Sequence, residues 1–172
     1  KKYFVLFAIL FGLSVAISAQ VKKAPAPERQ GWDNEGFYGD LYGDVESVTI
    51  KNYKLEDRFG ELVKVVDWST SYTFNLRGDV VENAEYNSDG SLWGKCTYKY
   101  DSAGKKVEKS SYKSDGSLEW MDIYKYDSAG NMVEEAEYKS DGSLDWKFTY
   151  KYDSAGNKVE DAWYDSDGSL LS

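Results

Sequence analysis

Carboxylates are the first side chains in this chain with a pattern that could do chemistry. Glu134/Glu135 and Glu160/Asp161 are adjacent acids, and a pair of carboxyls facing each other across a cleft can cleave a glycosidic bond. Neighbours in an extended strand point to opposite faces, however. Acids are also scattered over every repeat, so these pairs read as a solvated face that discourages edge-to-edge aggregation. Asp165-Ser166-Asp167-Gly168 has the look of a calcium loop. Such a loop needs several oxygen ligands ending in a bidentate glutamate. Asn87, Lys113 and Lys139 stand at positions equivalent to Asp165, and no glutamate follows at the required distance. A hairpin turn without metal is the expected reading. The chain has no histidine, which removes the usual general base, the usual zinc ligand and both Ser-His and Cys-His pairs. Cys96 is the single cysteine, and Asp122 and Phe148 occupy its equivalent positions. No intramolecular disulfide can form, and a structural rather than reactive role is expected there. No catalytic residue, metal or cofactor is expected, and the chain is not read as an enzyme.

Aromatic residues are the stronger candidates. Trp120, Trp146, Tyr98, Tyr124 and Tyr150 recur at equivalent positions on alternate strands. One reading makes them a core ladder, since aromatic cross-strand pairs are the usual glue of sheets. The sharper reading makes them a partly exposed platform for a carbohydrate or a partner protein, because large exposed apolar patches mark interaction sites.

The elements that must hold these residues follow from an internal repeat. Tyr-Asp-Ser-Ala-Gly begins at Tyr100, Tyr126 and Tyr152, 26 residues apart, and a degenerate copy, Phe74-Asn75-Leu76-Arg77-Gly78, precedes them at the same interval. Ser-Asp-Gly-Ser-Leu begins at Ser88, Ser114, Ser140 and Ser166. A fixed period of this length is the mark of a repeat architecture. Each motif has turn chemistry: Asp opens and Gly closes the first, and an Asp-Gly pair suits a hairpin loop in the second. Two turns per repeat leave two segments of ordinary strand length. Leu144, Trp146, Phe148, Tyr150 and Tyr152 alternate with Asp145, Lys147, Thr149 and Lys151, which is a strand pattern. The other strand of each repeat is more polar, and Val133 is out of phase with Tyr138. A bulge after the Tyr-Asp turn is expected to bring Val107, Val133 and Val159 to the face of Tyr112, Tyr138 and Tyr164. Upstream, residues 45–55 and 62–74 read as longer strands joined near Asp57-Arg58-Phe59-Gly60. The expected fold is all-β: an antiparallel β-hairpin repeat meander of about nine strands in a single twisted or curled sheet.

The ends add a setting. Lys1 and Lys2 precede the uncharged run Tyr3 to Ile17, and Ser18-Ala19-Gln20 offers small residues for cleavage. That is the layout of a secretory signal peptide over residues 1–19, shorter than the roughly 20 residues of a spanning helix. Residues 20–40 read as a linker and 41–172 as the repeat domain. The net charge of −9 argues against nucleic acid and anionic lipid as partners. Membrane contact is expected only through the signal peptide before cleavage.

The Tyr-Asp-x-x-Gly-Asn turn at Tyr126–Asn131 and Tyr152–Asn157 resembles the YD repeat of the bacterial Rhs and eukaryotic teneurin families. Leu41-Tyr42-Gly43-Asp44-Val45-Glu46-Ser47-Val48-Thr49 is similar to the opening of small exported YD-repeat-like proteins of Bacteroidetes-type bacteria. In large members of these families many repeats build a shell around a cargo, and such repeats are associated with carbohydrate binding. Three clear copies and one degenerate copy are too few to close a shell. The resemblance implies a β-hairpin unit and a secreted, periplasmic or cell-surface setting. The first functional reading is a non-catalytic exported module that binds or scaffolds a protein or carbohydrate partner. The second is a structural piece of a longer array. Self-association through a sheet edge is open in both.

Overall fold

Glycine punctuates the chain at fixed intervals, and the strands follow from it. The computed structural model describes residues 4–10, 13–21 and 44–171, and the chain divides into two units, Lys1–Lys95 and Cys96–Ser172. The first holds β1 (Phe4–Leu10), β2 (Leu13–Val21), β3 (Val45–Arg58), β4 (Glu61–Phe74) and β5 (Val80–Asn87). Strand β6 (Leu92–Tyr100) begins in the first unit and ends in the second. The second holds β7 (Lys106–Lys113), β8 (Leu118–Tyr126), β9 (Met132–Lys139), β10 (Leu144–Tyr152) and β11 (Lys158–Tyr164). Strand order follows chain order within each unit, and no helix occurs among the described residues. The all-β antiparallel meander is therefore as expected, with nine strands from Val45 to Tyr164. Strands β1 and β2 fall on the segment read as an export signal, where β2 pairs with β3 from Val45 to Lys51. Most of the expected linker, residues 22–40, lies outside the described residues.

Both repeat motifs form the same turn. In the first, Gly130 N donates to the Asp127 carbonyl at 3.0 Å and Asp127 N to the Asn131 carbonyl at 3.0 Å. In the second, Gly142 N donates to the Lys139 carbonyl and Lys139 N to the Ser143 carbonyl, both at 2.9 Å. This is a three-residue hairpin loop closed by a left-handed glycine. Gly130 and Gly142 have φ of 92° and 82°. The aspartate of the Asp-Gly pair keeps negative φ, so only the glycine supplies the left-handed residue.

Side chains lock each turn. Asp127 Oδ1 accepts from Asn131 N at 2.8 Å, and Asn131 Nδ2 donates to Asp127 Oδ2 at 3.0 Å. Asp153 and Asn157 repeat the pair at 2.9 and 3.0 Å. The degenerate copy reverses it: Asn75 Oδ1 accepts from Asp79 N at 3.0 Å while Asn75 Nδ2 donates to Asp79 Oδ2 at 2.8 Å. In the other turn, Asp141 Oδ1 accepts from Ser143 N and Oγ at 2.9 and 2.6 Å.

A bulge follows the Tyr-Asp turn, as expected, where the register shifts between Lys125 and Tyr126 against β9. The register passes from Lys125↔Glu134 to Tyr126↔Met132, so Val133 is itself the bulged residue, without a partner in β8. Val159 is passed over in the same way between Lys151↔Glu160 and Tyr152↔Lys158.

The β3–β4 hairpin turns differently. Phe59 and Gly60 both have positive φ, 59° and 87°, the two-residue turn that favours Asn-Gly. Phenylalanine is strained there, since a left-handed non-glycine residue costs about 1–2 kcal/mol. Phe59→Asn is therefore expected to raise the melting temperature by a few degrees. Gly142→Ala, where the new Cβ meets nothing within 4 Å and only the backbone objects, is expected to lower it by a similar amount. Thermal unfolding followed by circular dichroism checks both.

Candidate functional site

The repeat's alternation places its large aromatics on one face of the second unit. In β8, Trp120, Asp122 and Tyr124 share a face and pair across with Lys139, Glu137 and Glu135. In β10, Trp146 and Phe148 pair with the same Glu137 and Glu135. Phe148 then pairs with Trp163 on β11, and Tyr150 with Asp161. Tyr98 joins this face through Lys106, whose Nζ lies 5.7 Å from the Tyr98 ring centroid and 5.3 Å from that of Tyr124. All five aromatics singled out in the sequence thus come together.

They are not equally available. Tyr98 and Tyr124 are buried, at 5% and 8% exposure, whereas Trp120, Trp146 and Tyr150 are half-buried. Tyr98 and Tyr124 therefore act as core, and Trp120, Trp146 and Tyr150 line the accessible part. Sequence inspection left out Phe148 and Trp163 as candidates. Phe148 stacks on Trp163 at 5.7 Å and on Tyr150 at 6.4 Å, and meets Trp146 edge-on at 5.5 Å. Aromatic contacts of this kind add about 0.5–1.5 kcal/mol each beyond the area they bury. Strict alternation already placed Phe148 on this face; Trp163 needed the register of β11.

Lysines cap several of these rings. Lys109 Nζ lies 5.2 Å from the Trp120 ring and Lys158 Nζ 5.4 Å from the Tyr150 ring. Lys105 reaches from its own turn to the next, donating to the Gly130 carbonyl and lying 4.9 Å from the Tyr126 ring. Tyr126 in turn donates its hydroxyl to the Lys106 carbonyl at 2.9 Å. The tyrosine of the Tyr-Asp motif thus ties two successive repeats, and an open groove between the turns is lined by Asp101, Lys105, Val107, Tyr126 and Asp127.

Asp122 is the anomaly on the face. It occupies the place of Cys96 and Phe148 in neighbouring repeats and is only 7% exposed. Tyr124 donates to its Oδ2 at 3.1 Å, while its Oδ1 is buried without a hydrogen-bond partner. Burial pushes the Asp122 carboxyl up, against the opposing pull of the Tyr124 hydroxyl, Lys109 and Lys106. Burial and the nearby Asp122 charge raise Glu135 and Glu137 as well. The turn aspartates behave oppositely. Asp127, Asp141 and Asp153 are held below the ordinary carboxylate range by hydrogen bonds from Asn131, Ser143 and Asn157. The oxygens of Asp165 and Asp167 are likewise engaged by Ser169 as turn acceptors, and no group of acids able to hold a metal occurs among the described residues.

No family model matches this sequence, and no curated protein matches it. Among solved structures, the chain is similar to the TcdB2–TccC3 complex at 13% identity, covering 88% of this chain and 11% of that one, with a TM-score of 0.34. A TcdB2–TccC3–Cdc42 complex matches at 13% identity over 91% of this chain and 12% of that one, with a TM-score of 0.27. A porin-like protein from Bacteroides uniformis ATCC 8492 matches at 11% identity over 97% of this chain and 90% of its own length, with a TM-score of 0.31. The chain thus spans only about a ninth of the first two. None of these likenesses assigns a family or an activity.

The carboxyls of the aromatic face give a test. A carboxyl raised on folding favours the native state at low pH and opposes it as pH rises through its raised value. Asp122→Asn is therefore expected to be more stable than the parent chain at pH 7. The gain should shrink to nothing below the ordinary aspartate value of about 3.9. Melting temperatures of both chains between acid and neutral pH check this.

Proposed function

We propose that this chain is a non-catalytic, exported repeat module that binds or scaffolds a partner through the aromatic face of its second unit. The observation that carries the reading is the array of half-buried Trp120, Trp146 and Tyr150 interleaved with Glu135 and Glu137 on one face. Flat rings stack on the apolar faces of sugars or on partner side chains, and carboxylates accept from hydroxyl or amide donors. A carbohydrate or a protein at a cell surface or in a periplasm suits that combination. The Tyr-Asp turn chemistry supports placing the chain among YD-repeat proteins, and the uncharged run after Lys1 and Lys2 supports export.

Catalysis is not proposed. Asp122 and Glu137 are direct cross-strand neighbours on a sheet face, whereas glycoside cleavage needs carboxyls on opposite sides of a bound sugar. The alternative, a structural piece of a longer array, draws on the same turns but gives the variable residues of the aromatic face nothing to do.

A glycan array and in-cell photo-crosslinking test the proposal together. Trp146→Ala should keep the fold and weaken binding to any glycan captured by the parent chain by about tenfold or more, as loss of a central aromatic anchor does. A photoreactive residue at position 146 should capture a partner if the ligand is a protein. Binding that is indifferent to Trp146→Ala, or no capture in either format, would overturn the reading.

A further inference from the structure

The β3–β4 hairpin extends beyond its neighbours. β2 pairs with β3 only as far as Lys51, and β5 pairs with β4 only from Trp68 onward. From Tyr53 to Val66 the two strands pair with each other, so this stretch is a two-stranded arm. Its register sorts the side chains. Tyr53, Leu55, Asp57, Leu62, Lys64 and Val66 fall on one face, and Lys54, Glu56, Arg58, Glu61, Val63 and Val65 on the other. The second face is ionic: Lys54 pairs with Glu56 and Asp67 at 3.4 Å, and Arg58 with Glu56 at 3.3 Å. The first is largely apolar and open to solvent, with Leu55 62% and Leu62 70% exposed. Phe59 caps the arm, fully exposed, in the strained left-handed turn.

We propose that this arm is a self-association surface, on which the apolar faces of two copies of the chain pack antiparallel about a two-fold axis. This inference is independent of the aromatic face and of any ligand there. A two-fold contact must be self-complementary, and this face is. Its rows run Tyr53/Val66, Leu55/Lys64, Asp57/Leu62 and then Phe59. Antiparallel packing sets the Leu55/Lys64 row of one copy on the Asp57/Leu62 row of the other. Each lysine then lies diagonal to an aspartate, and each Phe59 meets the partner copy's Tyr53 and Val66. Burying one such phenylalanine removes about 150–250 Å² from water. The two Phe59 side chains together therefore contribute about 300–500 Å², well under the roughly 1,000 Å² of a stable specific interface, which fits a weak, concentration-dependent dimer. A bilayer is a poorer occupant, because Asp57, Arg58 and Glu61 lie directly behind the tip. An isolated two-stranded hairpin is also marginal in water, and a second arm supplies the missing layer.

Phe59→Asn separates association from folding, because asparagine suits the turn better than phenylalanine. Sedimentation velocity on the full chain, from low micromolar to sub-millimolar concentration, should show a reversible monomer–dimer equilibrium. Phe59→Asn and Leu62→Glu should each weaken it by about tenfold or more while the circular dichroism spectrum stays unchanged. A parent chain that stays monomeric throughout, or a Phe59→Asn chain that dimerises as the parent does, would overturn the proposal. So would a monomeric parent chain that binds phosphatidylcholine vesicles through Phe59.

Discussion

A left-handed glycine and one side-chain acceptor fix each turn, and everything else in the repeat follows from that. Gly130 and Gly156 take φ near 90°, where a Cβ would strain the backbone. The aspartate three residues earlier gathers backbone donors that would otherwise face solvent unpaired. Asp153 Oδ1, for example, accepts from both Ala155 N and Asn157 N at 2.9 Å. With the loop length set, the strand lengths and the register are set too. A slip of one residue would move every aromatic to the opposite face. The turns therefore place Trp120, Trp146 and Phe148 on one face without contacting a partner themselves.

That division of labour sorts the acids by environment. Turn aspartates are stabilised as anions by the donors they collect, so their contribution to stability is lost as pH falls through their lowered values. The acids of the aromatic face stand in the reverse relation, since burial opposes their charge. Asp122 differs from the others in having one oxygen buried and unpartnered. Buried unpaired polar groups are rare in native proteins and call for an explanation. Within the repeat the turn residues recur while the sequence of Cys96, Asp122 and Phe148 varies at one position.

Much of this was legible in the sequence, because turn chemistry is local. The period, both turns, the strand count and the shared face of Tyr98, Trp120, Tyr124, Trp146 and Tyr150 needed only spacing and alternation. Val133 reads as out of phase because it is the bulged residue, passed over between Met132 and Glu134 in the pairing with β8. The rest was non-local. Tyr98 and Tyr124 are buried beside half-buried tryptophans, with the Lys106 ammonium close to both tyrosine rings. The solitary arm of β3 and β4 follows from where β2 and β5 stop pairing, which no residue in the arm announces.

The central claim is that a side-chain oxygen accepting from backbone N–H groups, on aspartate or asparagine alike, holds the Tyr-Asp turn. Asp101 does so with Lys105 at the closing position, and Asn75 does so with Asp79 there. The most direct test is the melting temperature of the double variant Asp127→Asn/Asn131→Asp beside that of Asp127→Ala. The double variant should melt within about a degree of the parent chain, and Asp127→Ala several degrees lower, given that loss of a net hydrogen bond costs about 1 kcal/mol and two are removed. A double variant that melts as low as Asp127→Ala would contradict the account.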